Sequence, residues 1–374
     1  MRPPDIYSQQ EFDDVENVSD EEDLWFLPGP EAAEEDIPPG MVPSHPAQQS
    51  NLFDSDGWYA AQTTLARELA EVASLFGALD QRLRMAPVGW RTRLALREVA
   101  DLGWWTGDRL GVDQIALWVA LRIGSTEDTE QALARAGWAM RCLSTGPFPT
   151  EGLAAFLERV PRALTDFDRQ ETPELALADL AEVMATCEGL HPIVAGARVF
   201  HAWRVLCQSG SANVEAAVLA ARHAALMSRA PGQGALFLPL AQTGSDALRG
   251  VGEPEAKLKA WLRGAERATL ASLLHLDRVS EWHTHATGQI VDLSGRTPAR
   301  LLALLGSWPQ ITAPMAEAEL CVSRSAVQRN LAIFEDRGLV REITGQGRYR
   351  VWSAVLEVSL RKPNRKPYFG AVQT

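Results

Sequence analysis

The stretch that most narrows the folding possibilities is CVSRSAVQRNLAIFEDRGLVREITGQGRYRVW, residues 321–352. Val327, Leu331 and Phe334 fall at i, i+4 and i+7, the spacing of one apolar helical face. Ser323 stands where an N-cap hydroxyl is wanted, and Gly338 where a helix stops. The segments LVREI and RYRVW then alternate apolar and polar residues on either side of a tip at Gly345 and Gly347, as a hairpin does. A helix, a glycine stop and a hairpin in so few residues leave a small set of folds open.

Two shorter helices are expected just upstream. TPARLLALLGSW has Thr297 placed to cap a helix and Pro298 at its first position. ITAPMAEAEL forms a second helix after Pro314, and CVS is the tight turn before the third. With its apolar residues turned inward, that third helix presents Arg324, Ser325, Gln328 and Arg329 outward over its first two turns. Arg348 and Arg350 share one face of the hairpin's second strand. This order of elements resembles a winged helix-turn-helix. The resemblance implies that Arg324, Ser325, Gln328 and Arg329 meet base edges and phosphates in a major groove, with Arg348 and Arg350 on phosphates beside it. Winged helices also serve as protein-docking or dimerisation modules, and that alternative stays open here.

The net charge of −12 is unevenly spread. Residues 1–56 hold 15 acids and one base, whereas residues 296–374 hold 12 bases and six acids. The basic end continues into SLRKPNRKPYFG, where Arg361, Lys362, Arg365 and Lys366 would add phosphate contacts and a steep salt dependence. The acidic arm, with its prolines and lack of any helical or strand period, cannot bury enough apolar surface to offset its ordering entropy and is expected to be disordered. LWFLPG, around Trp25 and Phe26, is its only sticky island, either a docking motif or a hydrophobic remnant. The arm is also expected to compete with DNA for the basic end.

Between these ends the chain is rich in Ala and Leu with helical spacing. Helices are expected over 65–84, 88–105, 112–124 and 126–143, then over 174–189, 192–208, 212–229 and 255–282. The sequence therefore predicts a mainly α protein: an acidic arm (1–56), an all-helical body (57–290), a winged helix-turn-helix (291–356) and a basic tail (357–374). No stretch offers about 18 apolar residues in a row, so no membrane span is expected. Four scattered cysteines, Cys142, Cys187, Cys207 and Cys321, read as reduced and buried thiols in the cytoplasm.

The body followed by this terminal module resembles the Fic family. SRSAVQRNLAIFEDRGLVREITGQGRYRVW is similar to the winged-helix ends of Fic proteins, and LDQRLRMAPVGWRTRLALREVADLGWWTG to their N-terminal region. Similar too are helix-turn-helix proteins of rhizobial plasmids that carry a domain of unknown function. The resemblance implies nucleotidyl (AMP) transfer through a motif H-P-F-x-D/E-G-N-G-R. The nearest text is HPIVAGAR, residues 191–198, with His191, Pro192, Gly196 and Arg198 matching by type. Ala195 stands for the metal-holding acid, Ala197 for the Asn, and one residue is missing before Arg198. Leu102 and Thr106 likewise replace the Ser and Glu of the family's self-inhibiting segment. A catalytically degenerate body is therefore expected, with an active transferase using His191 and Arg198 as the alternative. HPIVAGAR also reads as a plain helix start.

Other candidates read as structure. His283 and His285 form an H-x-H step beside Glu281, but i and i+2 do not share a helix face. Trp104 and Trp105 are expected to pack a helix–helix seam. PGQGALFLPL (231–240) lacks the Lys and Ser/Thr of a phosphate loop and reads as an interhelical loop with an inward apolar end. No cofactor, metal or membrane partner is expected. Double-stranded DNA is the expected partner of a bacterial transcriptional regulator, together with a second copy of the chain or a protein met through the acidic arm.

Overall fold

The computed structural model describes residues 54–121, 127–145, 152–157, 174–207, 212–228, 232–345 and 350–356. The acidic arm with Trp25 and Phe26, the basic tail with Arg361, Lys362, Arg365 and Lys366, and wing residue Arg348 lie outside them.

The described chain is mainly α-helical, with a small sheet at its C-terminal end. The body comprises α1 (Asp56–Thr64), α2 (Ala66–Met85), α3 (Gly89–Thr106), α4 (Val112–Leu121), α5 (Glu127–Ser144), α6 (Leu153–Leu157), α7 (Glu174–Ala185), α8 (Pro192–Leu206), α9 (Ala212–Ala224) and the long α10 (Pro254–Gln289). After it come α11 (Thr297–Ser307), β1 (Gln310–Thr312), α12 (Ala313–Leu320), α13 (Arg324–Asp336), β2 (Val340–Glu342) and β3 (Val351–Ala354).

Two hydrophobic cores are built on these elements. The first gathers residues of α1 to α10, with Phe76, Leu94, Trp138, Phe200, Trp203 and Trp261 fully enclosed. Helix α8 is apolar on nearly every side, the mark of a helix packed all round. It meets α9 so closely that a Cβ on Gly196 would sit 2.9 Å from the Ala220 carbonyl oxygen. The second core holds Val327, Leu331 and Phe334 of α13, Leu301 and Leu305 of α11, Ile311, Met315 and Trp352. Helix α10 enters both cores, because its last turns deliver Trp282 and Ala286 to the second. It thus runs seven residues beyond the expected end at 282, to Gln289.

Glycines mark where α10 is clamped. A Cβ on Gly264 would come 2.6 Å from the Ala247 Cα in the 3-10 turn Asp246–Arg249. Gly264→Ala is therefore expected to cost about 1–3 kcal/mol by overpacking, although alanine is the better helix former. A urea midpoint unchanged or raised by the substitution would contradict this packing.

Buried carboxylates order the loop after α9. Asp80 accepts hydrogen bonds from Ser228 Oγ (2.9 Å) and the Ala235 amide (2.9 Å). Glu98 accepts from the amides of Leu240 (2.7 Å) and Ala241 (2.8 Å). Ala235, Phe237, Leu238 and Leu240 are buried, so the inward-packing apolar end read from the sequence is present. Two other expectations need correcting. Trp105 packs on Phe200, with ring centroids 6.1 Å apart, but Trp104 is 60% exposed and takes no part in a seam. Adjacent helical residues point about 100° apart, so both could not face the same neighbour. The cysteines form no disulfide, yet Cys321 is exposed and Cys142 half-buried. The turn that Cys321 occupies runs along the surface.

Candidate nucleic-acid interface

Three helices and a sheet position the outward residues of α13. Helix α11 begins at Thr297 with Pro298 next, but Arg296 is its N-cap and no side chain caps it. Thr297 therefore lies inside the helix rather than capping it. At α12, Thr312 is the cap: its hydroxyl accepts from the Met315 amide at 3.2 Å. The turn Cys321–Ser323 follows, with Cys321 in the left-handed region at φ 51°. Ser323 then caps α13, its Oγ accepting from the Ala326 amide at 3.4 Å. The far end closes as a Schellman motif. The Gly338 amide donates to Glu335 O and the Leu339 amide to Phe334 O, both at 2.9 Å, with Gly338 at φ 69°.

The sheet differs from the expected two-stranded hairpin. Its order is β1-β3-β2, both pairings antiparallel, with Ile311 opposite Trp352 and Val340 opposite Ala354. β1 is only three residues long and includes no alternating run, so periodicity alone could not show it. The turn beyond β2 is held by Glu342, which accepts from the amides of Thr344 (2.7 Å) and Gly345 (2.9 Å) and from the Thr344 hydroxyl. The Thr344 hydroxyl first, then these amides and the field of Arg350, hold the Glu342 carboxyl below its ordinary value.

The expected contact residues share one face. Arg324, Ser325, Gln328 and Arg329 are all exposed on the first turns of α13, while Val327, Leu331 and Phe334 are fully buried. Asn330, also buried, satisfies its amide by donating to Ala326 O at 2.8 Å. No acidic residue occupies the first turn of α13, so the positive end of the helix dipole adds to the two arginines. Arg324 is not alone there: its Nε lies 3.0 Å from Glu317 Oε2 on α12. Arg324 is exposed and Glu317 partly so, and such a surface pair is worth about 0–1 kcal/mol, easily given up for a phosphate. Arg350 is exposed at the start of β3's approach, and Arg341 of β2 is exposed as well. Arg341 was absent from the sequence-derived set, although its place between buried Val340 and half-buried Glu342 follows from strand alternation.

Polar ties add to the apolar packing beneath this face. Arg337, at the end of α13, makes a bidentate pair with Asp292 (2.7 Å to each oxygen) and donates to Gln289 O. Trp282 Nε1 donates to Leu339 O at 2.8 Å, tying α10 to the base of the hairpin.

Residues 299–355 match the family described as HTH DNA binding domain. The chain carries a helix-turn-helix DNA-binding domain. The match spans α11 to the end of β3 and so covers the whole second core apart from the residues supplied by α10 and the turn after it. No curated protein matches the chain.

The residues that resemble a Fic motif are placed differently from a phosphate-binding loop. Pro192–Leu206 is helix throughout, and His191 is its N-cap, Nδ1 accepting from the Ile193 amide at 3.2 Å. Burial lowers the His191 pKa below its ordinary value. Arg198 lies two turns further on, 2% exposed, its Nη1 donating to Thr186 O at 2.9 Å. Gly196 serves the close crossing with α9, and Ala195 and Ala197 are enclosed. The plain helix start is the form this stretch takes. His283 and His285 both lie within α10, and among the described residues no group of His, Cys, Asp or Glu could hold a metal ion. No helix among them is long and apolar enough to cross a membrane.

Proposed function

We propose that the chain is a sequence-specific DNA-binding regulator in which α13 reads the major groove and the hairpin rests on the neighbouring backbone. The observation that carries this reading is the exposed face of Arg324, Ser325, Gln328 and Arg329 at the capped, acid-free start of the third helix of a segment matching a DNA-binding family. In that geometry the N-terminal residues of the recognition helix contact base edges. Arg350 and Arg341 flank it as phosphate contacts, and the sequence pattern adds Arg348 to that set. The body has no role in chemistry in this reading. Its Fic-like text is a remnant or a coincidence, and the body supplies partner contacts, a second copy of the chain among them, since paired readers suit two-fold sites.

A salt titration of full-chain binding to duplex DNA tests the proposal. Affinity should fall linearly on a log–log plot as salt rises, because phosphate contacts release counterions. Arg329→Ala should weaken binding to a selected site by about 1–3 kcal/mol if it pairs with a base edge. Should it serve a phosphate instead, the loss is uniform across sequences and the salt slope drops by about one. Affinity indifferent to both salt and Arg329→Ala would overturn the reading.

A further inference from the structure

Helix α10 buries one face from Leu258 to Ala286 and leaves the opposite face open to solvent along most of its length. That open face carries the two exposed leucines Leu270 (46%) and Leu274 (53%), one turn apart at the middle of the helix. The open positions recur at alternating intervals of four and three residues, the seam spacing of a coiled coil. Apolar residues at the centre of such a seam with nothing over them call for a partner of the same spacing.

The charges beside the leucines identify that partner. Consider a second α10 laid antiparallel on the first, with the two-fold axis level with Ser272. Residues equally distant from that level on either side then lie opposite one another. Leu270 meets Leu274 of the partner, twice, in a four-leucine centre. The next layers on either side set Arg267 against Asp277, and the layers beyond set Arg263 against Glu281. Further out come only small residues, Ala260, half-buried beside the Gly250 turn, against Thr284, and Ala256 against Gly288. No layer opposes like charges, and Ser272 lies beside the midpoint of Pro254–Gln289, so the helices overlap along nearly their whole length. In a parallel pair in register, by contrast, every charged position would face its own copy, as would the leucines.

We infer that the open face of α10 is the interface of an antiparallel two-fold dimer of this chain. The existing surface pairs fit into it. Arg267 already lies 2.6 Å from Asp246, and Asp277 lies 2.8 Å from Arg82. In the dimer each becomes half of an alternating row: Asp246, Arg267, then Asp277 and Arg82 of the partner. The interface is isologous, as closed two-fold assemblies require. It also bears on DNA binding. Ala286, where α10 joins the second core, lies 14 residues from the axis, so the two winged helices attach about 40 Å apart along the seam at 1.5 Å per residue. That is the scale of the roughly 34–36 Å half-site spacing that two-fold readers span. The inference deepens the two-fold part of the reading above but needs no DNA for its test.

Sedimentation equilibrium of the full chain without DNA should give the mass of two chains at micromolar concentration. Leu270→Glu combined with Leu274→Glu should give the mass of one chain with unchanged helicity and a melting temperature that no longer depends on protein concentration. Arg263→Glu alone sets two carboxylates opposite each other in both outer layers, and Glu281→Arg alone sets two guanidiniums there. Each should weaken self-association at least about tenfold. Mixed in equal amounts, these two variants should pair with each other at near the wild-type affinity, because every outer layer then joins opposite charges. A wild-type chain that sediments as a monomer or as a higher oligomer, an undiminished dimer in the leucine variant, or a mixture that stays as weak as its components would overturn the interface. None of those outcomes touches the salt dependence of DNA binding, so the two readings fail separately.

Discussion

Arg93→Ala is expected to cost about 3–5 kcal/mol of stability, the scale for opening a cavity beside buried polar groups left unpaired, and to loosen the winged helix from the body. Arg93 belongs to α3 and is 3% exposed. Its Nε donates to His275 Nε2 on α10 at 3.0 Å, and its Nη1 donates to Leu305 O on α11, also at 3.0 Å. Leu305 lies in the last turn of α11, where carbonyls lack partners within the helix and the dipole favours a cation. One guanidinium thus ties the body's α3 and α10 to the first helix of the DNA-binding domain. Burial, then the nearby Arg97, lowers its pKa to about 9, which still leaves it charged at neutral pH. Alanine would leave a cavity, an unpaired carbonyl and an unpaired ring nitrogen. Arg93→Met restores most of the volume but no hydrogen bond, and should cost about 1–3 kcal/mol. Urea unfolding gives both values, and amide exchange in residues 297–307 should rise in the alanine variant. A cost below that of the methionine variant would show that the joint is held elsewhere.

The reach of sequence reasoning differs between the parts of this molecule for identifiable reasons. Val327, Leu331 and Phe334 were legible because a helix against a core has a strict period, and Gly338 because a left-handed residue at a helix end has few substitutes. The outward face of Arg324, Ser325, Gln328 and Arg329 followed as the remainder of that wheel. β1 was not legible, since three residues show no period. Nor was the pairing of Arg324 with Glu317, because it depends on how α12 crosses α13. The run to Gln289 was missed because Trp282 and Ala286 continue the helical period while changing the core they serve. HPIVAGAR shows the opposite failure. Short motifs match by residue type, and only the approach of α9 to Gly196 reveals that its glycine answers to packing. Arg93 and His275 gave no signal at all, since 182 positions separate them.

Stability should fall steeply as pH drops below about 6.5, and two single variants should bend that dependence in opposite directions. Burial, and next the guanidiniums of Arg93, Arg97 and Arg278, lower the His275 pKa from 6.5 to about 2. Burial lowers His223 from 6.5 to about 4, and lowers His201 well below 6.5 with help from Lys257 and Arg204. A group with a depressed folded pKa contributes stability that is present above its unfolded pKa and lost as pH falls. Glu98 has the opposite sign. Burial raises it from 4.5 to about 7 against the pull of the Leu240 and Ala241 amides. Its contribution is full below 4.5 and lost as pH rises to about 7. Between 4.5 and 6.5 these three histidines, with smaller help from His191 and His283, therefore oppose Glu98, and each proton is worth about 1.4 kcal/mol per pH unit. His275→Gln, which retains an acceptor for Arg93, should flatten the acid slope by about one such increment. Glu98→Gln can still accept from both amides through its carbonyl oxygen. It should steepen the slope by a similar amount and raise stability near pH 7 relative to its own value at pH 5. Urea unfolding at intervals from pH 5 to 8 measures all three proteins. Parallel curves for wild type and His275→Gln would mean that His275 is protonated in the fold, and the tie between α3, α10 and α11 would then need a different chemistry.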